Sequence, residues 1–364
     1  MARHITGTNP LTTETSVSMD TQTGFIIGVD TSCDDTSVAV LEERTGCVLS
    51  NIVSSQIKIH QGFGGIVPEL ASRSHMENIA FVFAQALESA GINIQQITRV
   101  AVTNTPGLVG CLLVGTGFAR ALAYQLGVPL HGVNHLEGHL FSPFITEPPL
   151  FPCLGLVVSG GHTAFYRIAS FEHVTLLGQT VDDAAGEAFD KCAKMLCLGY
   201  PGGPVIDQRA GRGDQNAFPF TVARVKMGRE YLSFSGLKTA AYHHIRVFGD
   251  LSEQTLNNLC ASIQKGIVDA LMDKAAFFFT RHRFKSFAVS GGVAMNSLLR
   301  TRSLEIADRF NVKCCIARPD YCTDNGAMIA HVAHVRQLDD QLFTLGTEAT
   351  KKIQARKLAC KKKQ

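Results

Sequence analysis

The chain has 364 residues, 45% of them hydrophobic and 18% charged, enough for one or two globular domains with real cores. Formal net charge is +3, but the last segment, KKIQARKLACKKKQ, carries seven Lys/Arg and no acid, so the rest has a slight acidic excess. A basic nucleic-acid clamp over the whole body is thereby excluded, leaving a basic arm at the end.

Eleven cysteines without a C-x-x-C pair read as buried thiols in a reducing compartment, not a disulfide frame. No apolar stretch approaches the roughly 20 residues of a membrane span. Residues 1–24 are polar and Thr-rich, without the apolar region of a secretory signal. The expectation is a cytoplasmic protein that engages no membrane, or a mitochondrial one if residues 1–24 are a presequence.

FIIGVD (25–30) and SVAVLE (37–42) read as a hairpin around the acidic, hydroxyl-rich turn TSCDDT. SHMENIAFVFAQALESAG (74–91) reads as a helix opened by a Ser74/Glu77 capping box and closed by Gly91. TRVAVTN (98–104) is a buried strand, GTGFARALAYQL a helix stopped by Gly127, and LHGV (130–133) another strand. After PPLFP the opening pattern returns: LGLVVSGGHTAFYRI (154–168) is strand, glycine turn, strand. A helix over 182–199 follows, then a long one at about 254–280, the strand FKSFAVSGG, a helix from Asn296, VKCCIAR and a last helix from about Asp324. Two hairpin-first α/β halves imply a duplicated architecture, with ligands held at loops beyond the strand ends, between the halves.

VNHLEGHL (133–140) places His135 and His139 four apart, on one face of a helix and able to share a cation. An H-E-x-x-H protease needs glutamate directly after the first histidine; here Leu136 stands there, and Glu137 points away from the shared face. Two surface histidines on an ordinary helix satisfy the same pattern. The remote candidate for a third ligand is Asp324 in CTDNGAMIA, whose ordinary role at a helix start is an N-cap. Two imidazoles and a carboxylate leave positions open for chemistry. The turns DTSCDDT and SGGHT offer backbone N–H groups and hydroxyls to phosphate or acyl oxygens, and Asp34 and Asp35 could hold a cation or orient a nucleophile. Asp183, Glu187 and Asp190 make one acidic helix face, either solvated or facing ligand hydroxyls, and Asp207 in PGGPVID suits a ribose diol.

GVDTSCDDTSVAV, GIVPELASRSHMENI, TPGLVGCLLVG, VNHLEGHL, LVVSGGHT, DDAAGEAFDKCAKMLCLGYPGGP, SFSGLKT, SGGVAMN and ARPDYCTDNGAMIA together resemble the TsaD family over about residues 25–335. The resemblance implies the sugar-kinase/actin/Hsp70-like fold, α/β with two ribonuclease-H-like lobes and the active site in the inter-lobe cleft. The implied division is a tail 1–24, a lobe of 25–133 plus 324–345, a second lobe 134–323 and a basic tail 346–364. The implied activity moves threonylcarbamoyl from threonylcarbamoyl-AMP to the exocyclic N6 amine of the adenosine beside the anticodon of tRNA. It implies one divalent metal ion per subunit, Fe2+ or Zn2+, on His135, His139 and Asp324, and substrate binding by Val157, Val158, Ser159, Gly160, Gly161, Asp190, Gly203, Asp207 and Asn296. Implied partners are a TsaB-like paralogue and a TsaE-like ATPase, or a second copy in a homodimer.

One departure concerns the first turn, E-T-S-C-D-E-T in the family, where Asp30 and Asp35 replace both glutamates. Chemically, the acyl donor is a mixed anhydride and already activated, so no covalent nucleophile is required, and Asp34 or Asp35 is a candidate base for the amine proton. A kinase of the same superfamily gives no role to the histidine pair. A metallopeptidase is disfavoured by Leu136, and a non-catalytic scaffold by the presence of all three candidate ligands.

Overall fold

The computed structural model describes residues 24–220, 228–248 and 252–349. The N-terminal tail, except Gly24, and most of the basic C-terminal tail lie outside the described residues.

The first sheet has the order β3-β2-β1-β4-β5. It comprises β1 (Phe25–Asp30), β2 (Asp35–Glu42), β3 (Val48–Ser55), β4 (Ile97–Thr105) and β5 (Leu130–Asn134). β1, β2 and β3 form an antiparallel meander, and β4 and β5 add in parallel. The second sheet repeats the design as β10-β9-β6-β7-β8. Here β6 (Cys153–Val158), β7 (Thr163–Ser170) and β8 (His173–Gln179) are antiparallel, followed by parallel β9 (Ser286–Ser290) and β10 (Lys313–Ile316). This repetition is the two-lobed α/β fold expected.

Helices fill the crossovers: α1 (Ile57–Gln61), α2 (Pro68–Ala90), α3 (Val109–Leu126), α4 (His135–Phe141), α5 (Ala185–Met195), α6 (Gly202–Ala210), α7 (Ser235–Phe248), α8 (Glu253–Arg281), α9 (Ser297–Arg309) and α10 (Gly326–Val335). Gly91 and Gly127 end α2 and α3 in the left-handed conformation, as expected. α2 departs from expectation at its start. Pro68 stands at the first helical position after Val67, and Ser74 lies mid-helix, where its hydroxyl accepts from Asn78. Proline lacks the N–H that a first turn leaves unpaired, so it opens a helix without a capping box. The helix expected over 182–199 is shorter, and α6 follows it. α3 corrects another expectation, for it is long and apolar enough to cross a membrane. Here it covers the first sheet, burying Leu112, Ala119 and Ala123.

Among the described residues, three apolar clusters hold the molecule. One lies outside the first sheet under α2 and α3, and a larger one outside the second sheet under α5 to α9. The third fills the space between the sheets, where Leu136, Leu140 and Phe141 of α4 meet Met328 and Ile329 of α10, and Val157 and Ala288 of the second sheet. Each fully buried side chain of this size is worth about 1.5–3 kcal/mol. α4 is therefore a wedge pinned from both sides.

Candidate active site

Asn134 ends β5 and starts α4, its side-chain oxygen accepting the Leu136 N–H at 2.9 Å. This cap puts His135 at the first helical position and His139 one turn later, facing inward. Two close approaches bring Asp324 to them. At Gly138 a Cβ would lie 3.0 Å from the Ile329 side chain and 3.1 Å from that of Met328, so α4 seats tightly on α10. At Gly28 a Cβ would lie 2.1 Å from the Gly326 carbonyl oxygen, so β1 and the start of α10 touch backbone to backbone. Asn325, not Asp324, caps α10, accepting the Met328 N–H at 2.9 Å. The carboxylate of Asp324 is thus spared for the site.

Asp324 Oδ1 lies 3.4 Å from His135 Nε2 and 3.1 Å from His139 Nε2. The two imidazoles sit edge to face, 4.6 Å between centroids, and one ligand atom from each of the three residues falls within 4.8 Å of the others. Behind them His135 Nδ1 meets the Ser32 hydroxyl at 3.1 Å and Asp30 Oδ2 at 3.2 Å. Asp30 is fully buried and also accepts the Ser32 N–H. A carboxylate and a hydroxyl on the far nitrogen turn Nε2 toward the common point, as metal-binding histidines require. The donor set fits a divalent cation. Glu137 points away, as its spacing predicts, and pairs with Arg336 at 2.5 Å.

Charge is concentrated here. Burial opposes protonation of His135, but Asp324 and then Asp30 outweigh it and hold its pKa well above the usual imidazole value. Burial pushes Asp324 up, and His135 and His139 overcome this and hold it well below the carboxylate range. Asp34 and Asp35 stand in the adjoining β1–β2 turn. Burial, then Asp324, raises both, Asp35 to about 7. His75 of α2 braces this turn, with Nδ1 2.7 Å from the Thr36 hydroxyl and Nε2 3.0 Å from the Cys33 carbonyl. On the other lobe, β6 carries Val157 and Val158 into the turn of Ser159, Gly160 and Gly161. The turn closes on itself through Ser159 N–H to His162 O at 2.8 Å. Gly160 and Gly161 are exposed, with open space where a Cβ would stand. His162 follows, its pKa pulled down to about 4 by burial, then by His135 and His139.

The remaining expected substrate residues form a second group. Asp190 accepts the Gly202 N–H at 2.7 Å and so holds the start of α6. The other acids of that stretch are partly answered: Lys191 bridges Asp183 and Glu187, and Lys238 reaches Asp183. Asp207 accepts from the Ser297 hydroxyl at 2.6 Å and Gln264 at 2.8 Å, and Asn296 caps α9 through Leu299 N–H at 3.0 Å. Gly203 faces open space. Beside Asp207 a cavity of about 400 Å3 is lined by Gly213, Asp214, Gln264, Ser297 and Thr301 among others. Sequence reasoning missed Asp30 and Ser32 as orienting groups. The available signal was an aspartate closing an otherwise apolar strand.

The sequence profile of the TsaD family, described as tRNA N6-adenosine threonylcarbamoyltransferase, matches residues 47–331. The chain belongs to the TsaD family. It is accordingly an enzyme, a tRNA N6-adenosine threonylcarbamoyltransferase. Relatives of that name include one from Anaeromyxobacter dehalogenans (strain 2CP-C), 50% identical, and one from Thermosipho africanus (strain TCF52B), 46% identical, each aligned over 84% of this chain and 92% of the relative. Among solved structures, T. kodakarensis HypF shares the fold at a TM-score of 0.58 and 15% identity, over 86% of this chain and 48% of that one. TsaD membership accounts for the sequence motifs that gather around His135, His139 and Asp324.

Proposed function

We propose that the chain transfers the threonylcarbamoyl group of threonylcarbamoyl-AMP to the N6 amine of the adenosine adjacent to the anticodon, in tRNAs reading codons that start with A, and releases AMP. The observation that carries this reading is the meeting of His135, His139 and Asp324 beside the acidic turn of one lobe and the glycine turn of the other. His135, His139 and Asp324 would hold one divalent ion, Fe2+ or Zn2+. Bound there, the ion supplies Lewis-acid stabilisation of charge on the anhydride and its departing phosphate.

The protein's own groups do the rest. Backbone N–H groups of the exposed turn at Gly160 and Gly161 would stabilise charge on the carbamoyl oxygen. N6 bonds to the carbamoyl carbon, the bond from that carbon to the phosphate oxygen breaks, and the electron pair leaves with AMP. The N6 proton passes to Asp35, whose value near 7 suits a base at neutral pH, with Asp34 alongside. An aryl amine is a weak nucleophile, so positioning supplies much of the acceleration. Asp190, Gly203, Asp207 and Asn296 border the space for the nucleotide.

The proposal includes a protein partner: a TsaB-like paralogue with a TsaE-like ATPase, or a second copy. Met76 and Phe81 on α2 and Leu113 on α3 are exposed apolar side chains that support it. Action in the cytoplasm, or in mitochondria, belongs to the same proposal.

The test is to incubate purified protein with unmodified tRNA, threonylcarbamoyl-AMP and defined metals, then read nucleosides by mass spectrometry. Threonylcarbamoyladenosine formed without other proteins indicates a stand-alone enzyme. No product, with metal and candidate partners supplied, overturns the reading.

A further inference from the structure

The stretch QGFGGIV between α1 and α2 spends three glycines around one phenylalanine. Its base is fixed. His60 is fully buried, its Nδ1 accepts the Val67 N–H at 3.4 Å, and its Nε2 lies 3.3 Å from Gln56 Oε1. Two turns close the loop, Phe63 N–H to His60 O at 3.0 Å and Gly64 N–H to Gln61 O at 3.2 Å. The base also borders the catalytic cleft. Gln61 Nε2 crosses to the second lobe to donate to the Tyr200 carbonyl at 3.1 Å. Tyr200 in turn is influenced by Asp34 and Asp190, one from each lobe.

The tip, by contrast, touches little. Phe63 is 64% exposed, with Ile59 exposed to 46% and Lys58 exposed on the same short helix. Gly64 needs its positive φ of 66°, but nothing lies within 4 Å of a Cβ placed at Gly62, Gly64 or Gly65. Crowding therefore does not explain the glycines. Phe63 and Ile59 thus leave apolar surface in water beside the cleft, on a loop pinned at its base and uncrowded at its tip.

We propose that Phe63 is a positioning residue that stacks on the unpaired base neighbouring the target adenosine of the RNA substrate, with exposed Lys58 of α1 offered to a phosphate. This rests on the tRNA reading above. Single-stranded loops are recognised by splaying bases onto aromatic side chains and by neutralising the backbone, and both chemistries are present at this tip.

The test uses the full-length protein and a fluorescently labelled, unmodified anticodon stem-loop RNA, with binding read by anisotropy. Phe63→Ala and Phe63→Leu should weaken binding about 5- to 150-fold, the range of one base–aromatic stack. Phe63→Trp should restore it. An abasic nucleotide beside the target adenosine should weaken the wild type and erase its advantage over Phe63→Ala. Unchanged binding by Phe63→Ala overturns the proposal, as does a loss that persists on every abasic RNA. A loss of self-association with RNA binding intact assigns Phe63 to a protein interface and also overturns it, as does a raised KM for threonylcarbamoyl-AMP with tRNA affinity unchanged. Thermal melting of each variant reports folding. Because binding is read directly, a wild type that binds RNA but forms no product sinks the transfer reading and leaves this one standing.

Discussion

Gly28 and Gly326 meet backbone to backbone: a methyl on Gly28 would lie 2.1 Å from the Gly326 carbonyl oxygen, and one on Gly326 would lie 2.5 Å from the Gly28 carbonyl oxygen. Two residues before Gly326 stands Asp324, and two after Gly28 stands Asp30. The contact sets where both carboxylates fall relative to His135.

Gly28→Ala should push α10 off β1 and spoil that alignment. Overpacking of a core costs about 1–3 kcal/mol, and a clash with backbone belongs at the upper end. The expected result is a lower urea midpoint together with metal content well below one ion per chain, measured by denaturation and elemental analysis. Full metal content in a destabilised variant would show that the contact serves stability alone.

His139→Ala should remove bound metal and product together, with a transfer rate down by at least about 100-fold. Glu137→Gln, on the opposite face and paired with Arg336, should keep the metal. Product formed by a metal-free His139→Ala protein would refute the role given to the ion.

Asp35 has a pH signature in both rate and stability. As a base it acts when deprotonated, so transfer should rise with pH through about 7 and level off above. Asp35→Asn should lose that limb and about 100- to 10,000-fold in rate. Its folded pKa exceeds the unfolded carboxylate value of about 4, so its contribution is most favourable at low pH and is lost as pH rises through 7. Asp35→Asn should therefore be less active yet more heat-stable than the wild type at pH 8. A melting temperature unchanged at pH 8 would argue against a buried, strained carboxylate.

His331 of α10 is fully enclosed, neither ring nitrogen has a hydrogen-bond partner, and burial followed by His334 pulls its pKa down to about 3. The unfolded value is about 6.5. Its contribution is thus present above pH 6.5 and is lost as pH falls toward 3, because only the unfolded chain takes up the proton readily. His331→Leu should flatten the decline of the urea midpoint between pH 6.5 and 4. An unchanged slope would place the acid sensitivity elsewhere.

Much of this was legible in the sequence where one local rule acted alone. β-branched runs marked the hairpins, Gly91 and Gly127 marked helix ends, and the spacing of His135 and His139 gave their shared face. It failed where two rules competed. Ser74 and Glu77 imitate a helix start, yet Pro68 opens α2. The glycines and proline of PGGPVID look like a loop, but Asp190 caps them into α6 from twelve residues away. Asp324 and Asn325 are both good caps; asparagine takes the cap where Gly326 packs against β1, a contact with no local trace in the sequence. The partnership of His135 with Asp30 and Ser32 spans more than a hundred residues and has no local trace.

The seating of Gly138 on α10 has a consequence for turnover. All three candidate ligands ride on the clamped pair α4 and α10, whereas Gly160 and Gly161 belong to the opposite sheet. Because α4 is also held by Val157 and Ala288 of the second sheet, a rotation of one half against the other would strain the meeting of the three side chains, so any movement that serves turnover must leave this seam intact.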